Sequence, residues 1–132
     1  MHWFVAFGVA LLVGCSPGPD ASTSEEQLVR ERAEERWRAL VEGDFQHAYG
    51  FESPAYRALT PYASFRAQFG GAAVWKGAQV SSVTMREGGD AASVVMTIDY
   101  LAVLPSGETY PGRRGMKEEW IKSAGDWWIV TQ

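Results

Sequence analysis

At 132 residues, with 46% hydrophobic and 21% charged residues, the chain has room for one small domain. A net charge of −4, and no basic run longer than Arg113-Arg114, exclude a nucleic-acid-binding surface of the usual basic kind. A single cysteine and two histidines, His2 and His47, exclude an internal disulfide and a Cys- or His-rich metal site, so neither a metal nor a cofactor is expected.

The N-terminal run Trp3–Val13, WFVAFGVALLV, is apolar throughout. As a helix it would cover about 16 Å, roughly half of a bilayer core, so it cannot span a membrane. It has the length of a signal-peptide h-region. Residues 16–24, SPGPDASTS, lack apolar periodicity and read as a flexible tether.

The first helix is expected to start near Ser22–Ser24, with Thr23 and Glu26 in a capping-box spacing. Val29, Ala33, Trp37, Leu40 and Val41 form its apolar stripe. Glu26/Arg30 and Glu34/Arg38 have the spacing of surface ion pairs. Gly43 ends this helix. Asp44 can cap a short second one through Phe45, Ala48 and Tyr49, and Ser53-Pro54 is expected to break it. A third helix is expected over 61–69, ahead of Gly70-Gly71.

The remainder reads as β-structure. A strand over 74–86 changes parity at Ser81-Ser82, which predicts a bulge. After Gly88-Gly89-Asp90, a strand over 92–103 places Val94, Met96, Ile98, Tyr100 and Ala102 on one face, and Ser93, Val95, Thr97, Asp99 and Leu101 on the other. Two more strands are expected, over 109–122 and 127–131, with Gly112-Arg113-Arg114-Gly115 interrupting the first of them. Helices followed by an antiparallel meander give an α+β order.

Two resemblances follow from these residues. Leu12-Val13-Gly14-Cys15, placed after the apolar run, resembles the lipobox of bacterial lipoproteins. That resemblance implies a signal peptide over 1–14, lipidation of Cys15, a tether over 15–24 and anchoring in the cell envelope. Ser16 after the cysteine implies the periplasmic face of the outer membrane. The reading from residues alone leaves a core cysteine in a buried helix as the alternative.

The second resemblance rests on Trp37–Arg57, WRALVEGDFQHAYGFESPAYR, on Phe65 and Phe69 in the third helix, and on the closing EEWIKSAGDWWIV. These look like the nuclear-transport-factor-2-like superfamily, which includes SnoaL-like and ketosteroid-isomerase-like domains. Over 25–132 it implies helices packed in a curved antiparallel sheet, a cone with a pocket at its open end. It does not imply one function.

Enzymes of that superfamily use a carboxylate or histidine in the pocket, so the candidates are polar residues in phase with apolar ones. Glu118 alternates with Met116 and Trp120, and Tyr100 shares a face with Met96 and Ile98. An inward Glu118 would suit a general base. The favoured, competing reading pairs it with an arginine of a neighbouring strand or leaves it on a frayed edge. Asp99 reads as outside the cone, Asp44 as a cap, His47 as solvated, Tyr56 as core and Arg57 as surface. The expected pocket lining is Trp37, Tyr49, Met96, Tyr100 and Trp120.

With no recognisable Asp/His pair, the favoured function is a non-catalytic module of the envelope that binds a small apolar ligand or a protein partner. The alternative is a small isomerase, dehydratase or hydrolase using an inward carboxylate. A homodimer through Val95, Leu101 and Val103 on the outer face is also expected.

Overall fold

The computed structural model of the chain describes residues 14, 21–71 and 73–131; of residues 21–24 the backbone alone is described. The expectations for the apolar run, for Cys15 and for residues 16–20 lie outside the described residues. Four helices precede four strands: α1 (Ala21–Glu42), α2 (Phe45–Tyr49), α3 (Pro54–Leu59), α4 (Tyr62–Ala67), β1 (Ala73–Met85), β2 (Ala91–Val103), β3 (Thr109–Ser123) and β4 (Asp126–Val130). No described helix is long and apolar enough to cross a membrane.

The strands form one antiparallel meander in the order β1-β2-β3-β4. Two register shifts in β1, between Trp75 and Gly77 and between Val80 and Ser82, each insert one residue opposite β2. The second is the bulge that the parity change at Ser81 predicts. An inserted residue bends its strand and sharpens the twist, and here two of them curl β1 around α1. The β3–β4 hairpin turns through Ala124 (φ 52°) and Gly125 (φ 81°), two successive left-handed residues. Such a pair matches the twist of adjoining strands.

α1 lies in the concave face. Val29, Ala33, Trp37 and Leu40 are buried, as the stripe predicts, together with Ala39 and the charged Arg36. From the sheet, Ala92, Val94, Met96, Ile98 and Trp120 meet them with at most 1% exposure. Phe65 joins this core from α4, and Phe51 and Ala48 from the α2 region.

Four local readings are corrected. Residues 21–24 are already helical, so Thr23 lies inside α1 and is not its cap. Neither Glu26/Arg30 nor Glu34/Arg38 pairs among the described residues, and Arg30 instead donates to the Val80 carbonyl. Pro54 begins α3: Ser53 accepts from the Tyr56 amide as its N-cap, and proline fits a first turn that needs no N–H. Residues 112–115 continue β3 without interruption, because Tyr100, Asp99, Ile98 and Thr97 of β2 pair with them in register.

Candidate functional site

The strand period of two carries the side chains of Arg114, Met116, Glu118 and Trp120 to the concave face of β3, in line with Gly112. Burial rises along that row, from exposed Arg114 to fully buried Trp120. The sheet therefore has a closed end, filled by α1, and an open end near Tyr100 and Gly112.

At the closed end Glu118 points inward and is 6% exposed. Its Oε2 accepts from Arg36 Nη1 at 2.9 Å and from the Trp37 indole at 2.8 Å. The Trp120 indole donates to Oε1 at 3.4 Å. Its arginine comes from α1 and not from a neighbouring strand. Glu118 sits beside Val94, an apolar neighbour, so the α1 donors replace the water it would otherwise hold.

A second carboxylate, Glu52, is completely buried just after α2. Both of its oxygens lie within 2.9 Å of Thr131 Oγ1, and Oε1 lies 4.0 Å from Arg36 Nη2. Burial pushes its carboxyl above the ordinary carboxylate range and outweighs the opposing Thr131 hydroxyl and Arg36 guanidinium; the Glu118 carboxylate adds to the rise. One guanidinium thus stands between two buried carboxylates, while Arg36 Nε has no hydrogen-bond partner among the described residues. Glu52 also ties β4 down, through a parallel bridge to Ile129 and a bond from the Ile129 amide to the Phe51 carbonyl.

Arg36 and Glu52 are not singled out by sequence reasoning. For Arg36 a signal exists: Val29, Ala33, Arg36 and Leu40 fall at i, i+4, i+7 and i+11, the spacing of a buried seam. For Glu52, in a short link between helices, no local pattern exists.

The open end holds two clefts that share Ala73 and Trp75. One, of about 230 Å³, is lined by Ala73, Trp75, Ile98, Tyr100, Arg114 and Met116. The other, of about 330 Å³, runs between the end of α1 and the α4 region, past Leu40, Phe45 and Phe69. Trp75 is fixed edge-to-face against Trp37 (5.2 Å) and Phe69 (5.6 Å). Tyr100 lies across Gly112: a Cβ added there would fall 2.6 Å from Tyr100 Oη. Glycine is needed at this position because the ring occupies the space of a side chain.

The other expected lining residues lie elsewhere. Met96 and Trp120 are 0% exposed in the core. Trp37 borders a third cleft, of about 310 Å³, beside Gly77 and Ala78. Tyr49 packs against Tyr62 and Phe65 and donates to the Thr60 carbonyl at 2.6 Å. Asp99 is on the outer face, where the Arg113 guanidinium at 2.6 Å holds its carboxyl below the usual range. Asp44 caps α2 through the His47 amide, and exposed His47 meets Glu35 at 2.9 Å. Tyr56 is half-buried, its hydroxyl accepting from Gln68, and Arg57 donates to the Glu52 carbonyl. Among the described residues, no group of three His, Cys, Asp or Glu could hold a metal ion.

No protein-family model matches the chain, and no curated protein is similar enough in sequence to count as a relative. Solved structures do match it. A nuclear transport factor 2 (NTF2-like) superfamily protein from Salmonella enterica superposes with a TM-score of 0.57 at 14% identity, covering 83% of this chain and 89% of that one. An NTF2-like family protein from Streptomyces avermitilis gives 0.56 at 13% identity, covering 81% and 92%. A SEC-C motif containing protein from Psychrobacter arcticus gives 0.60 at 14% identity; the match covers 80% of this chain and 60% of that longer one. Helices held against a curved four-stranded antiparallel sheet, together with these superpositions, give the chain the NTF2-like α+β fold.

Proposed function

We propose that the chain is a lipid-anchored protein of the bacterial cell envelope, acylated on Cys15, whose NTF2-like domain binds a small apolar ligand or an envelope protein without catalysing a reaction. The observation that carries the binding half is the state of Glu118. A general base must come within about 2.6–3.2 Å of the proton it removes, directly or through one water. The Glu118 carboxylate accepts from Arg36, Trp37 and Trp120 and is covered by the core. Apolar surface is accessible instead at the open end, around Trp75 and Tyr100.

The alternative, a pocket enzyme of the isomerase, dehydratase or hydrolase type, draws on the inward direction of Glu118 and on the burial of Glu52 beside it. It would require α1 to move away from the sheet. Hydrogen exchange separates the two readings: non-catalytic binding expects the Arg36–Leu40 amides to exchange through global unfolding, and local opening of that turn would count against it.

The anchor is tested by acyl labelling of the wild type against Cys15→Ser. A substituted protein that still carries label, or still fractionates with the outer membrane, would sink that half. Dimerisation through half-buried Val95, Leu101 and Val103, with Val74 exposed beside Leu101, is tested by sedimentation over a concentration series.

A further inference from the structure

Strand parity splits Arg113 from Arg114. Arg113 points to the outer face and is taken by Asp99 at 2.6 Å. Arg114 points to the concave face, opposite Ile98, and lines the 230 Å³ cleft. Among the described residues no carboxylate lies within 4.0 Å of the Arg114 guanidinium, and the Tyr100 phenol has no hydrogen-bond partner. The other walls are Ala73, Trp75, Ile98 and Met116, which offer no charge. A cleft with apolar walls, one cation and one phenol complements a molecule with an apolar body and a single anionic head.

We infer that the ligand of this cleft is a small carboxylate with a flat apolar body, its ring against Trp75 and Met116 and its carboxylate on Arg114 and Tyr100. This rests on the non-catalytic binding reading above and narrows its ligand class. Two features favour a carboxylate with one or two rings. A guanidinium meets a planar carboxylate with two parallel N–H donors. The cleft volume of about 230 Å³ lies below the roughly 300–1,000 Å³ of drug-sized sites, which suits a body of one or two rings. The chain's net charge of −4 gives an anion no general attraction, so the preference must arise locally at Arg114.

The test compares 1-naphthoate with 1-naphthalenemethanol, matched in ring and differing in charge, by ligand-observed NMR titration of the full chain and its variants. The expected result is naphthoate binding about tenfold tighter, the discrimination of one charge-assisted contact in a partly open site. Arg114→Gln should abolish that preference, bringing the ratio of the two affinities to about one. Trp75→Leu should weaken both ligands. Equal binding of the two to the wild type, lost in Trp75→Leu, would overturn the anion inference and leave the cleft as an apolar site. A preference that survives Arg114→Gln would overturn it too. Saturable binding of neither would overturn both the inference and the small-ligand reading. Arg114 is exposed, so its variant is expected to fold, and far-UV circular dichroism checks this.

Discussion

Replacing Arg36 by methionine removes the one cation between Glu118 and Glu52 while keeping much of the side-chain length. The loss has two parts. A charge-assisted hydrogen bond of 2.9 Å to Glu118 disappears, about 1.5–3 kcal/mol. The Coulomb attraction to Glu52 across 4.0 Å also disappears, and both carboxylates keep their burial cost. Removing one partner of a buried pair costs about 3–5 kcal/mol, and methionine recovers part of this by packing against Trp37. A net loss of about 3 kcal/mol is expected. For a domain of about 110 residues, with an unfolding entropy of roughly 2.1 cal/mol/K per residue, it corresponds to a drop of about 13 °C in Tm. Equilibrium urea denaturation, followed by tryptophan fluorescence, measures it directly. The loss should be smaller at pH 5 than at pH 8, because burial already holds the Glu52 carboxyl high and removing the guanidinium takes away an opposing influence. A loss below about 1 kcal/mol, or one independent of pH, would refute the account of the cluster as charges held by Arg36.

Four further outcomes follow from the same geometry. In the wild type, the raised Glu52 means that the folded state binds its proton more tightly than the unfolded chain. Its contribution is therefore fully favourable below the ordinary carboxylate range and is lost as pH rises through the folded value; Glu52→Gln should flatten that part of the stability–pH curve. Trp37→Phe keeps a ring in the core but removes the 2.8 Å bond to Glu118, a loss of about 1–3 kcal/mol in the same denaturation experiment. Gly112→Val should cost about 1–3 kcal/mol by driving Tyr100 off the strand, and Tyr100→Ala in the same chain should relieve most of that cost in a double-mutant cycle. Ala124→Asn, at a left-handed position followed by Gly125, should raise the melting temperature modestly, since Asn-Gly suits two successive positive φ values.

Much of the fold is legible in local pattern because burial enforces periodicity. A residue out of phase in a strand moves every following side chain to the other face, so the parity change near Ser81 marks a bulge before any partner strand is known. The same phase puts Glu118 inside and Asp99 outside. Proline and glycine are more ambiguous. Pro54 ends one helix or begins the next depending on Ser53, and Gly112 interrupts a strand or accommodates a ring depending on Tyr100 across the ladder.

The amino-acid sequence by itself determined the order of helices before an antiparallel meander, the faces of β2, and the presence of a carboxylate among apolar neighbours. Each is a property of a short window, governed by periodicity and capping. The tertiary structure decided which groups that carboxylate meets. Its partner Arg36 is 82 positions away, and the Thr131 hydroxyl that meets Glu52 is 79 positions from it. Only the closing of the curved sheet on α1 brings those groups to hydrogen-bonding distance in the buried core. It places Glu118 in an ion pair with Arg36, and it leaves the opening beside Trp75 and Arg114 as an accessible part of the concave face.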